Sequence, residues 1–411
     1  LMNDLVTDNK KINEINAQIN ALLEKDFLLV NDKHDSKLVV SGSDQNDDQK
    51  CKSVLEKISL ILDNNLYSAK EVSLGTNNLL CMACELLLLR NRVDEYSPYR
   101  LLLIEEPEAH LHVQRQLKFI SSMFKECEAS NLQTIITTHS PQITSEISLR
   151  NLILIKGNRA YSFADEYSLL DADGYLFLER FLDATKANLF FARGVILVEG
   201  PSESILVPAI AKFLGKSLID YGISVVNVQG VGFSSYSHIF LRKDNSDSIP
   251  ISVACITDLD RIPESAVSIC FDEDEKKNRK GDIYNDDESQ EKNKQKVRNS
   301  RGNEQNVKTF VSDYWTLEYD LARSGLHAMA FNVLKECFTQ EKKKNDIEQW
   351  EKEDAKVGAA HFVDEFRKGH VSKATFAQRM AQKLDESDFP PEKREGLVPP
   401  YLKEAIKYVT E

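Results

Sequence analysis

Two stretches decide the fold of this chain: Val195-Ile196-Leu197-Val198-Glu199-Gly200-Pro201-Ser202-Glu203 and, further on, Ile251-Ser252-Val253-Ala254-Cys255-Ile256-Thr257-Asp258-Leu259-Asp260. Each opens with an unbroken apolar run rich in β-branched residues, the pattern of a strand covered on both faces in a parallel sheet. Each run then ends in acids. Between them, residues 202–213 have helical spacing at Ile205, Leu206, Ile210 and Phe213, with Gly215 where a helix would stop, and residues 222–228 read as another strand. In an open α/β sheet the groups just past the carboxyl ends of the strands converge on one crevice. Glu199, Glu203, Asp258 and Asp260 would therefore meet, and such a cluster is stable only if a cation shares it. An acidic surface without a metal is the competing reading for the Asp-x-Asp pair alone.

Composition bounds the partners. The 411 residues, 42% of them apolar, suffice for two or three domains. A net charge of −13 argues against a protein that coats nucleic acid, because phosphate contacts need clustered Lys and Arg. Any nucleic-acid contact is expected to be local and metal-assisted. Seven cysteines, an odd number, point to reduced thiols, and the lone Cys81-x-x-Cys84 pair in an apolar helical run reads as core packing. With no leader-like segment and no apolar run long enough to span a bilayer, a cytoplasmic protein with no membrane partner is expected.

Upstream, residues 8–24 read as an amphipathic helix, and residues 52–64 as a second helix with an apolar side. Ser73-Leu74-Gly75-Thr76 then opens a long apolar helix. Leu101-Leu102-Leu103-Ile104 reads as a buried strand running into Glu105-Glu106-Pro107-Glu108-Ala109-His110, and a further strand over 134–138 ends in His139-Ser140-Pro141. Small residues at a helix start leave N–H groups free to face a phosphate. No Gly-rich turn ending in Gly-Lys-Ser/Thr is found. Gly215-Lys216-Ser217 ends a helix instead of opening one, so this segment alone is expected not to hydrolyse ATP well. His110 and His112 read as structural loop residues.

These motifs resemble known families. Val198-Glu199-Gly200-Pro201-Ser202-Glu203, the lone Gly230 and Asp258-x-Asp260 resemble the Toprim module of topoisomerases, primases and one group of nucleases. The upstream block resembles the carboxyl-terminal half of an ABC-type ATPase head. That resemblance makes Ser73, Gly75 and Thr76 signature-loop residues for ATP, although one of the usual two glycines is missing. It makes Glu105 a holder of Mg²⁺, Glu106 the residue that polarises the attacking water, and His139 the switch histidine. An ATPase head followed directly by a Toprim module resembles the OLD (overcoming lysogenisation defect) family, which includes Gabija-type and retron-associated anti-phage nucleases. Trp315-Thr316-Leu317-Glu318-Tyr319 resembles the family motif whose glutamate helps hold a second metal, while locally Glu318 also suits a helix start. Lys373-Ala374-Thr375-Phe376-Ala377 resembles a late motif whose lysine lies near the metals, though a surface lysine at a helix start fits equally.

The expectation is an α/β protein with three parts. Residues 1–165 form a partial ABC-type ATPase domain lacking its P-loop, its end closed by two strands within 152–164. Residues 166–190 connect, and residues 191–411 form a Toprim domain, a parallel sheet flanked by helices with a helical carboxyl-terminal part. Within the last, residues 272–306 are charged with both signs nearly balanced, which reads as a mobile insertion more than as a nucleic-acid arm. The resemblance implies a metal-dependent DNA endonuclease in anti-phage defence. Two Mg²⁺ or Mn²⁺ ions would be held by Glu199, Glu203, Asp258, Asp260 and Glu318, with Lys373 stabilising charge and ATP exerting control at a distance. It also implies a homodimer or tetramer assembled through the heads, and makes a helicase or other defence-system protein a candidate partner. The alternatives are a Rad50/SMC-like tethering head with an inactive Toprim domain, and a Toprim strand-passage or primase enzyme.

Overall fold

The computed structural model describes residues 10–27, 36–40, 58–62, 67–68, 74–91, 100–130, 132–230, 232–286 and 288–411. The chain divides into two compact units, Leu1–Ile147 and Ser148–Glu411.

The first unit contains helix α1 (Lys10–Leu22) and the strands β1 (Ser36–Val40), β2 (Ile58–Leu62) and β3 (Tyr67–Ser68), paired antiparallel in the order β1-β2-β3. Helix α2 (Leu74–Asn91), strand β4 (Arg100–Glu105), helix α3 (Val113–Ser130), strand β5 (Leu132–Thr137) and helix α4 (Pro141–Glu146) follow. β4 and β5 pair in parallel, Glu105 opposite Thr137. The core joins Ile19 and Leu22 to Leu79, Leu80, Ala83, Leu86 and Leu87 of α2 and to Phe119, Ile120 and Met123 of α3. Those α2 positions recur at helical spacing and so fall on one buried face.

One expectation fails here and a second holds only in part. Within 52–64 the described residues 58–62 form a strand, not a helix, and the rest lie outside the described residues. Ile58, Leu60 and Ile61 satisfy both periods over so short a run, and pairing of Ile58 with Val40 and Leu60 with Leu38 selects the strand. Of Cys81-x-x-Cys84, only Cys84 packs against the core. Cys81 is exposed and Cys84 half-buried, its thiol pushed up by burial.

The second unit opens with a hairpin, β6 (Ile153–Lys156) and β7 (Arg159–Ser162), whose Tyr161 packs in one core with Phe163, Val195 and Leu197. The hairpin thus packs into the core of this unit. After helix α5 (Ala172–Phe181) come strand β8 (Gly194–Val198), helix α6 (Pro201–Phe213), strand β9 (Ile223–Asn227), helix α7 (Phe233–His238) and strand β10 (Ser252–Thr257). The short strand β11 (Ile262–Pro263) and helices α8 (Glu264–Cys270) and α9 (Glu273–Asn278) lead to strand β12 (Ile283–Tyr284), helix α10 (Glu291–Arg301) and strand β13 (Val307–Val311). The main sheet has the order β13-β10-β8-β9, every pair parallel. Val195 and Leu197 face one core and Ile196 and Val198 the other, as the unbroken apolar run requires.

Residues 272–306 are therefore largely ordered. Asp272 and Glu275 close a capping box on α9, β12 pairs with β11, and Tyr284 is buried with its hydroxyl donating to the Tyr314 carbonyl at 2.9 Å. A few anchors placed by the tertiary fold suffice where no apolar period exists. The carboxyl-terminal part is helical: α11 (Leu317–Arg323), α12 (His327–Glu336), α13 (Glu341–Trp350), α14 (Ala355–Arg367), α15 (Lys373–Glu386), α16 (Pro391–Leu397) and α17 (Pro400–Thr410). The tail carries two helices where one was expected, each starting at a proline. Leu402, Ala405 and Ile406 of α17 join the core beneath the sheet.

Candidate active site

The register of the main sheet brings the acids together. Val198 lies level with Ile256 and Asn227, and Thr257 with Val311, so Glu199, Asp258 and the turn after β13 leave the same edge. Gly200 starts α6 in extended conformation, and Glu203 falls in the helix's first turn. Glu199 Oε1 accepts hydrogen bonds from the Thr257 hydroxyl and, at 3.4 Å, from Arg301 Nη2. Asp258 Oδ1 accepts from the Leu317 amide at 2.9 Å, tying β10 to the start of α11. Glu318, 2% exposed, sits in the first turn of α11, and Lys373 at the start of α15 donates to its Oε2 at 3.0 Å.

Electrostatics shows the crowding. Burial pushes Asp258 well above the usual carboxylate range, and the charges of Glu318, Glu203 and Glu199 push further. Glu203 is raised by burial, with Glu318 and Glu199 adding to it. Glu199 is raised by burial against the opposing pull of Thr257 and Arg301, with Asp260 adding to the rise. Burial would lower Lys373, but the surrounding acids, Glu318 first, outweigh it and raise it. Glu318 Oε1 is buried without a hydrogen-bond partner among the described residues. Asp260 is exposed and holds a left-handed backbone, φ 56°, a conformation that costs a non-glycine residue on the order of 1–3 kcal/mol. The turn after β13 supports it: Ser312 Oγ accepts from the Leu259 amide at 2.8 Å, and the Trp315 carbonyl from Leu259 and Asp260.

The donor set is all carboxylate oxygen, which suits Mg²⁺ or Mn²⁺, and the buried Glu318 Oε1, without a hydrogen-bond partner among the described residues, is free to take part in holding one. Among the described residues no three His, Cys, Asp or Glu side chains stand in place to hold an ion as they are. Glu199 and Glu318 are engaged by Arg301 and Lys373, contacts that must loosen for the acids to share one.

Sequence reasoning passed over several supporting residues. Asp320 is buried and accepts from the Asp313 and Tyr314 amides; burial pushes its carboxyl up to about 7. Thr257 and Arg301 likewise carried no local signal, since Glu199 lies far away in the chain, and Ser312 meets Leu259 only across the fold.

In the first unit, Ser73 lies outside the described residues. Gly75 begins α2 so close to the 106–111 turn that a Cβ would stand 2.2 Å from the His110 carbonyl oxygen. Thr76 is buried beside it. Glu105 ends β4 and Glu106 follows with φ 44°, its amide bonded to the Thr137 carbonyl at 2.9 Å. His139 Nε2 lies 3.4 Å from Glu106 Oε1, both side chains largely exposed. The two strand ends are buckled by Glu108, which the motif reading gave no role. Its Oε1 accepts from Thr138 Oγ1 at 2.8 Å and the His139 amide at 2.6 Å.

A Toprim-like sheet with converging acids, preceded in the chain by a unit with paired ATPase-type strand ends, is the class defined by these two geometries. The comparisons agree: residues 3–144 match the AAA ATPase domain, and residues 190–260 the Overcoming lysogenization defect protein-like, TOPRIM domain. The chain is thus an ATPase-like domain followed by a Toprim domain of the OLD-like kind. It is 27% identical over 259 residues to endonuclease GajA of Bacillus cereus (strain HuB5-5), covering 54% of this chain and 34% of that protein. It is also 31% identical over 111 residues to the retron Ec83 probable ATPase of Escherichia coli, covering 25% and 20%. The chain spans about a third or less of these curated relatives. Among solved structures, the C-terminal region of the Burkholderia pseudomallei OLD protein aligns at 24% identity over 54% of this chain and 98% of that one, TM-score 0.37. That of Xanthomonas campestris pv. campestris aligns at 23% over 54% and 94%, TM-score 0.37. Among the described residues no helix is long and apolar enough to cross a membrane.

Proposed function

We propose that the chain is part of a metal-dependent DNA endonuclease governed by its ATPase-like domain, acting in anti-phage defence. One observation carries the reading. Glu199, Glu203, Asp258, Asp260 and Glu318 share one sheet edge with Lys373 and Arg301 as the cations in contact, an excess of negative charge that two divalent ions would neutralise. Bound there, such ions would supply water activation and stabilisation of the leaving oxygen. Glu199 and Asp258 would hold one ion, and Glu203, Asp260 and Glu318 hold or share the other. Lys373, poised at Glu318, is suited to hold charge on the phosphate.

Nucleotide would be met in the first unit by Ser73, Gly75 and Thr76, with Glu105 toward Mg²⁺, Glu106 toward water and His139 toward the γ-phosphate. Pairing of heads into an even assembly would couple it to cutting. The test is plasmid nicking with Mn²⁺ supplied: Glu199→Ala and Asp260→Ala are expected to lower the rate at least about 100-fold, to the level seen with chelator, the scale of removing one preorganised electrostatic group. Intact nicking by either variant places the reaction elsewhere.

A further inference from the structure

The charged segment is balanced as a whole but not along its length. Residues 272–282 carry five acids and four bases, whereas α10 (EKNKQKVRNSR) carries five basic side chains against one acid, in a chain of net charge −13. That acid, Glu291, is paired with Arg298 of the same helix. Lys294 anchors the helix to Asp313 at 2.8 Å, and Arg301 at its end reaches Glu199 at 3.4 Å while lying over the Phe233 ring, 5.0 Å from its centroid. These contacts fix which face looks outward. Lys292, Gln295, Lys296 and Asn299 are exposed at helical spacing, and Lys292 and Lys296 make no ion pair among the described residues.

From this we infer that α10 is a strand guide, a basic and amide-bearing face that binds the phosphodiester backbone of duplex DNA and delivers it past Arg301 to the acids at Glu199. The inference rests on the nuclease reading for what happens at the far end, but not for the binding itself. Charge complementarity selects the occupant: solvent-facing lysines interleaved with amide donors suit phosphate oxygens, and the helix's last turn is in contact with the candidate active site. A helix whose basic residues served only solubility would have no reason to end on an active-site carboxylate.

The experiment measures binding of a labelled duplex by fluorescence anisotropy in chelator, across a salt series, with nicking assayed separately in Mn²⁺. Lys292→Glu with Lys296→Glu is expected to weaken binding at least about tenfold and to reduce the slope of log affinity against log salt by about two, one for each lost phosphate contact. The charge-matched pair Lys277→Glu with Lys280→Glu in the mixed-charge stretch at α9 is expected to leave that slope unchanged. Equal slopes for parent and the α10 variant, or equal losses in both charge-reversed proteins, overturn the guide. Binding lost in the α10 variant while the parent fails to nick keeps the guide and discards the nuclease reading. Both lysine pairs are exposed, so a preserved thermal midpoint identifies a binding effect and not unfolding.

Discussion

At the scale of single residues, Lys373 and Glu318 form the sharpest contact of the candidate site. Glu318 is buried and its second carboxylate oxygen has no partner among the described residues, so Lys373 is what compensates its charge in the absence of metal. Lys373→Met is expected to cost about 1–3 kcal/mol in chelator, the penalty for stranding a buried polar group. Millimolar Mn²⁺ should restore most of that. Urea unfolding with and without the ion reads both quantities, and a loss that metal does not repair would mean that Lys373 serves packing alone. Asp260 and Glu106 share another trait: both are acids singled out from sequence, and both hold positive φ. Strained backbone at two expected catalytic acids fits the tendency of such strain to collect at functional sites.

Among the elements, the start of α2 is the most tightly specified. Gly75 faces the His110 carbonyl with no room for a methyl group, while Asn78 Nδ2 donates to the Ala109 carbonyl at 3.3 Å. The obstacle is backbone, which moves less readily than a side-chain tip. Gly75→Ala should therefore destabilise by about 1–3 kcal/mol, the range for forced overpacking, even though alanine favours a helix interior. A neutral or raised thermal midpoint would show that the α2 start is not held against the 106–111 turn. The contrast with the short run at β2 is instructive. There, local periodicity permitted two answers and partner strands selected one, whereas α2 and β8 are long or apolar enough to be read directly.

For the whole molecule, the folded state stores protons in its acid cluster. Burial raises Asp258, Glu203, Glu199 and Asp320, the last to about 7, so each binds its proton more tightly folded than unfolded. Their contribution to stability is complete below the ordinary carboxylate range, near pH ~4, and is lost as pH rises toward 7. Without metal the parent should lose stability across that window, measured against a variant carrying Glu203→Gln and Asp258→Asn. Mn²⁺ held by these acids would displace their protons, so at about 100 times its dissociation constant it should add ~2.7 kcal/mol near pH 7, raising the midpoint by roughly 5–10 °C. The gain should be much smaller at pH 5. An equal gain at both pH values, or none, removes the acids from metal binding.

Apolar runs, glycine punctuation and terminal acids determined by themselves the parallel strands, the helices around them and which carboxylates leave one edge, because burial on two faces and strand polarity are local in their demands. The tertiary structure alone decided what surrounds those carboxylates. Asp320, Ser312 and Thr257 are indistinguishable from other polar residues until the turn after β13 closes on the β10 end, and Glu108 until two strand ends meet. The ordering of 272–306 was illegible for the same reason: no apolar period marks it, and only the packing of α10 in the folded unit sets Arg301 beside Glu199.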